Sequence, residues 1–138
     1  MQFVKRLHLI LNKIPKWGLT ALCAAAICWL TLAPHPLGDT EIPLFPGADK
    51  ICHSIMFGGL TWCILLDWQR WNWKIPCKTE YITAIAASAL FGIATEWLQG
   101  TTRMGRSYDS LDFYADAMGA LFFGLIYIPI AKWLGKAD

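Results

Sequence analysis

Apolar positions fall into four runs. The first, Trp17 to Ala33, contains no charge, and Lys5, Arg6, Lys13 and Lys16 precede it. The second, Ile51 to Leu66, is interrupted only by His53. The third, Tyr81 to Leu98, carries Glu96 near its end, and the fourth, from about Leu111 to Leu134, has Asp112 and Asp116 in its first turns. A membrane-crossing helix needs about 20 mainly apolar residues, within a range of about 17–25. The first, third and fourth runs meet that length; the second needs its polar first turn to span. Because lipid offers the backbone no hydrogen bonds, spanning segments must be helices or closed barrels. The pattern predicts an all-α bundle of four transmembrane helices, about 17–33, 51–68, 81–98 and 111–134, in a single domain over 1–138. A cleaved signal peptide ending near Thr31-Leu32-Ala33 is the competing reading of the first run. Its length and the three runs that follow argue against it.

Composition agrees with lipid burial. Apolar residues make up 56% and charged residues 16%, against about 25% charged in soluble domains. Mean hydropathy is +0.40. This excludes a disordered chain. A formal net charge of +2 with no basic stripe argues against a nucleic-acid partner. Eight Trp and seven Phe fit a protein with aromatic residues at two membrane interfaces. The five Cys include no CxxC pair; they read as small buried apolar residues, with a single bridge left open.

Lys and Arg set the orientation. The N-terminus, the second loop (Arg70, Lys74, Lys78) and the C-terminal end (Lys132, Lys136) together carry nine, while Lys50, Arg103 and Arg106 make three on the other side. Both termini are therefore expected in the cytoplasm. Trp17, Trp68, Trp71, Trp73 and Trp133 fall on the same inner side. Loop one, with Pro34, Pro36, Pro43, Pro46 and Gly47, reads as an extended surface segment. In the fourth run, Ala115 and Gly119, then Ala120 and Gly124, have the small-residue spacing that lets helices approach closely.

The remaining ionisable residues gather on the outer side. Each charge at mid-membrane costs about 2.5–3.5 kcal/mol on insertion scales, so each needs a reason. Asp49 and His53 are spaced i, i+4, with Asp49 expected to cap the second helix. Glu96, Gln99 and Arg103 share a stripe at the end of the third. Asp109, Asp112, Asp116 and Gly119 share one at the start of the fourth. Helix capping and ion pairing explain Asp49, Asp109 and Asp112. They do not explain His53 or Asp116, and they leave five carboxylates against Lys50, Arg103 and Arg106. Crowded carboxylates recruit a proton or a cation, and such places are candidate functional sites. The chain has no HExxH, P-loop, GxSxG or GxGxxG, so no cofactor is expected; neither Ser107 nor Ser110 is fixed as a nucleophile. A carboxylate–His group suits a divalent metal, without spacing specific enough to assign one.

The segments Asp49-Lys50-x-x-His53-x-x-x-Phe57, Glu96-x-x-Gln99 and Gly105-Arg106-Ser107-Tyr108-Asp109-x-x-Asp112-x-x-x-Asp116-x-x-Gly119 resemble the two motifs of VanZ-like membrane proteins, in the same order. The resemblance covers about Pro46 to Leu125. It implies a small, multi-pass, four-helix protein of the bacterial inner membrane, with a link to the glycopeptide (teicoplanin-type) antibiotic response. The family usually carries Asn where this chain has Asp116. Asp116, one turn deeper than Asp112, is therefore expected to carry a proton and act as Asn would.

Two functions follow. In the first, Asp49, Lys50, His53, Glu96, Gln99, Arg103, Arg106, Asp109, Asp112 and Asp116 form a binding site for an anionic, lipid-linked envelope component. Lys50, Arg103 and Arg106 would hold phosphate or carboxylate, and His53, Glu96 and Asp112 are the candidates for acid–base catalysis. In the second, the chain is a non-enzymatic scaffold or accessory subunit whose polar cluster only locks the bundle. A proton or cation path ranks last, because the inner halves of the runs lack ionisable groups. The partners the sequence points to are membrane lipids and a lipid-linked envelope precursor, with no nucleic acid.

Overall fold

The computed structural model describes residues 9–33, 45–102 and 109–135. Among these residues there are four long helices and no strand: α1 (Gly18–Leu32), α2 (Ala48–Asn72), α3 (Lys78–Thr102) and α4 (Ser110–Gly135). Three of them, α2, α3 and α4, are long and apolar enough to cross a membrane.

The helix lengths depart from the sequence expectation in an instructive way. The first run is the shortest helix, at 15 residues, or about 22 Å at 1.5 Å per residue. Trp17, in left-handed backbone (φ 61°), delays its start. Ala33, extended at ψ 136°, ends it, as suits a residue followed by Pro34 in the sequence. The second run, expected to be marginal, is a 25-residue helix. The stretch Gln69 to Asn72, beyond the expected end near 68, is its last turn, so the connection to α3 is only Trp73 to Cys77. The segment expected to run as a loop through Lys50 is likewise helical from Ala48. Asp49 does not cap α2: Gly47 does, at φ 86°, a backbone that favours glycine, and Asp49 sits in the first turn. The start of α3 is closed by Glu80, whose carboxylate accepts from the Cys77 N–H at 3.0 Å, half of a capping box. Asp109 caps α4, accepting from the Leu111 N–H at 2.9 Å.

The helices run up and down. The start of α1 lies beside the end of α2, through Thr20 and Asp67. The end of α1 lies beside the end of α3, where Gln99 donates to the Thr31 carbonyl at 2.6 Å. Helices α2 and α4 form the most extensive pair. Gly119 makes this possible: a Cβ there would collide with the Ser54 backbone of α2. The Ser54 hydroxyl donates to the Ala115 carbonyl at 2.9 Å across the same contact. The small-residue spacing in the fourth run thus marks a place where two backbones meet.

Two apolar clusters fill the bundle. One joins Leu65, Ala84, Tyr127 and Ala131; the other joins Ile27, Phe57 and Leu60. The rest of the interior is unusual for a soluble protein. Thr31, His53, Thr61, Asp67, Ser88, Thr95, Glu96, Gln99 and Asp116 are all buried, while Leu22, Leu90, Met118, Phe122 and Leu125 are exposed. Polar groups inside and apolar groups outside is the distribution expected of helices whose surroundings are lipid. All five cysteines are free thiols.

Candidate functional site: a buried His–carboxylate cluster

The start of α2, the end of α3 and the start of α4 meet at one end of the bundle. There His53 stands at the centre. Its ring lies over Phe57, one turn on, with centroids 6.3 Å apart and planes 17° from parallel. Its Nδ1 lies 2.8 Å from Asp116 Oδ1, and its Nε2 lies 3.8 Å from Asp112 Oδ2. Helix geometry explains the bracket: Asp112 and Asp116, four apart on α4, present one face to the histidine. Asp116 is fully buried, at 0% side-chain exposure. Its Oδ2 has no hydrogen-bond partner among the described residues. A Cβ at Gly92 of α3 would come within 2.8 Å of that oxygen, so the glycine is what admits Asp116 between α2 and α3.

Glu96 enters from α3. It is 1% exposed, and neither carboxylate oxygen has a hydrogen-bond partner among the described residues. One ligating atom from each of His53, Glu96 and Asp112 lies within 4.8 Å of the others. The Asp109 backbone N–H faces this carboxylate without forming a close hydrogen bond, and burying a polar group so poorly partnered costs about 1–3 kcal/mol on protein mutational scales.

Above this core lies an ion-paired rim. The Lys50 ammonium donates to Asp49 at 2.9 Å, to Asp109 at 2.6 Å and to Asp112 Oδ1. Asp49 is 59% exposed and belongs to the rim. Lys50 holds Asp109, just outside the helix, below the ordinary carboxylate range, and the Leu111 N–H adds to the effect. Three carboxylates surround Lys50, so its charge is already spent within the rim rather than offered to an anion.

Of the residues expected to share a pocket, His53, Glu96 and Asp112 do come together, and Asp116 completes the group. Gln99 is buried but turned to α1, where it ties two helices. Arg103 and Arg106 lie outside the described residues, as do Ser107 and most of loop one. Ser110 opens α4.

Sequence reasoning missed a second buried polar group at the opposite end. Arg70 pairs with Asp67 at 2.6 Å, three residues apart on α2. Arg70 also donates to the carbonyls of Leu11, Ile14 and Pro15, at 3.2 Å for Ile14 and 3.3 Å for Pro15. Asp67 accepts from both the N–H and the hydroxyl of Thr20 at 2.8 Å. This clamp fastens the segment before α1 to the end of α2. The signal was present as Asp-x-x-Arg, at the i, i+3 spacing that pairs on a helix, but counting charges toward a loop concealed it. Exposed Trp residues occur at both ends: Trp17, Trp71, Trp73 and Trp133 at this one, Trp29 and Trp97 toward the other.

Comparison with family models, curated proteins and solved structures found no match for this chain.

Proposed function

We propose that this chain is a VanZ-like protein of the bacterial inner membrane, crossing it four times with both termini in the cytoplasm. In this reading, the His53–Glu96–Asp112–Asp116 cluster binds or modifies an anionic, lipid-linked component of the cell envelope at the outer face. The observation that carries the reading is Glu96, an acid buried where three helices meet with no close hydrogen-bond partner among the described residues. A bundle gains nothing in stability from such a group; a site that meets a ligand does. The placement of the described residues of the two VanZ-like motifs (His53, Glu96, Asp112 and Asp116) around one cluster supports the family assignment. The nine-to-three Lys/Arg asymmetry and the Trp residues at both ends support the four crossings and the orientation. Short α1 would cross with its flanking residues or with local thinning of the bilayer.

The scaffold reading also has an observation in its favour. Lys50 links Asp49, Asp109 and Asp112, and so ties α2 to α4 as a structural ion pair would. The two readings separate on one experiment. The chain is expressed in a teicoplanin-sensitive bacterium beside its His53→Ala, Glu96→Ala and Arg106→Ala variants. Drug susceptibility and membrane abundance are then measured together. The site reading expects a wild-type shift in susceptibility that the variants lose at unchanged abundance. Collapse of abundance in all three variants supports the scaffold instead. Absence of any wild-type shift removes the antibiotic link.

A further inference from the structure

The cluster contains more than an arrangement of acids. Its two outer members are each oriented by a partner that leaves one atom pointing inward. His53 has Nδ1 against Asp116 Oδ1 at 2.8 Å, so an Nδ1–H donated to that carboxylate leaves a lone pair on Nε2. Asp112 gives Oδ1 to Lys50 and keeps Oδ2 toward His53 Nε2, 3.8 Å away. Glu96 supplies the third side, buried, with both oxygens unpartnered. The three ligating atoms lie within 4.8 Å of one another.

We propose that His53 Nε2, Glu96 and Asp112 Oδ2 bind one divalent cation of the Mn²⁺/Zn²⁺ class, with Asp116 and Lys50 as the partners that orient the ligands. Metal–nitrogen and metal–oxygen bonds of about 2.0–2.2 Å put neighbouring ligand atoms about 2.8–3.8 Å apart. The His53–Asp112 separation of 3.8 Å is at the upper edge of that range, and the other separations, all within 4.8 Å, close with side-chain adjustments of at most about 1 Å. A histidine whose second nitrogen donates to a carboxylate is the usual support of a metal-bound imidazole. One imidazole and two carboxylates suit borderline and hard divalent ions, and no thiolate is present to favour a softer one. The cation also answers the charge arithmetic. Among the described residues the site gathers Asp49, Glu96, Asp109, Asp112 and Asp116 against Lys50 and His53.

A metal held by three protein ligands keeps positions open for water or an anionic oxygen. An acidic pocket would thereby accept an anionic phosphate. That last step rests on the anionic-ligand reading above; the cation site itself does not.

The test uses the full-length protein in detergent, stripped with a chelator and returned to metal-free buffer. Mn²⁺ is titrated and free ion followed by its paramagnetic resonance signal, with Zn²⁺ titrated by calorimetry in parallel. One ion per chain is expected. Glu96→Gln and Asp112→Asn are expected to weaken binding at least tenfold, and Asp116→Ala about 10–100-fold, as loss of an outer-shell partner does. Glu80→Gln, at the other end of α3, should bind as wild type. Bound metal should also raise the thermal midpoint of the wild type and not of Glu96→Gln. Since Glu96 has no close hydrogen-bond partner among the described residues, Glu96→Gln is the variant least able to fail by unfolding. Absence of stoichiometric binding of both ions overturns the proposal. So does binding that survives Glu96→Gln and Asp112→Asn undiminished. Neither result bears on teicoplanin susceptibility, so the two readings fail separately.

Discussion

At the scale of the residue, Asp116 is where sequence and structure meet most closely. The comparison with Asn came from the resemblance to VanZ-like proteins, whereas the position of Asp116 one turn below Asp112 was legible from spacing alone. Its partner was not: His53 lies 63 positions away, and no periodicity within one helix points to another helix. The contact puts an Asp116 oxygen 2.8 Å from the imidazole Nδ1. An amide oxygen at the same place accepts the same hydrogen bond. Asp116→Asn is accordingly expected to be nearly silent in membrane abundance and thermal midpoint. Asp116→Ala should cost about 1–3 kcal/mol, because the buried imidazole loses its partner. Detergent-melting curves of the two variants check this. A loss as large for Asn as for Ala would mean that the charge, not the hydrogen bond, holds His53.

At the scale of the element, the α2–α4 contact is decided by glycine. Gly119 sits against the Ser54 backbone and Gly58 against the Phe123 ring, whereas a Cβ at Gly59 would meet nothing within 4 Å. Gly119→Leu is expected to force the two helices apart and to cost about 1–3 kcal/mol or more, as overpacking does. Gly59→Ala should be tolerated. Abundance and melting temperature of both variants in membranes and detergent give the answer; equal stability of the two would contradict the close approach. The small-residue spacing in α4 was readable, since helical periodicity is local. The helix ends were less so. The second helix was expected to end near 68, yet Asp67 and Arg70 pair inside its last turns and the helix continues to Asn72. An apolar-run reading has no means of crediting an ion pair.

At the scale of the whole molecule, the all-helical architecture followed from the four apolar runs. The convergence of polar residues from three of them followed from the order of the runs together with alternating direction. Which polar residues would face inward did not follow, because Asp49 and His53 share a spacing but not an environment: one is a rim residue, the other is buried at 8% exposure. The orientation in the membrane rests on charge. Reporter fusions after Lys16, Ala48, Lys74, Thr102 and Asp138 are expected to read in, out, in, out, in. A cytoplasmic signal from the fusion after Ala48 or Thr102 would reverse or break the proposed topology.

The central claim is that the bundle gives up stability at Glu96 to hold a working site. Thermal unfolding of metal-free wild type against Glu96→Gln, in the same detergent, tests it directly. Since the acid has no close hydrogen-bond partner among the described residues, the amide variant is expected to melt at the same temperature or higher. A midpoint lower by the equivalent of about 1 kcal/mol or more, the worth of a lost hydrogen bond, would contradict it and make Glu96 a structural residue.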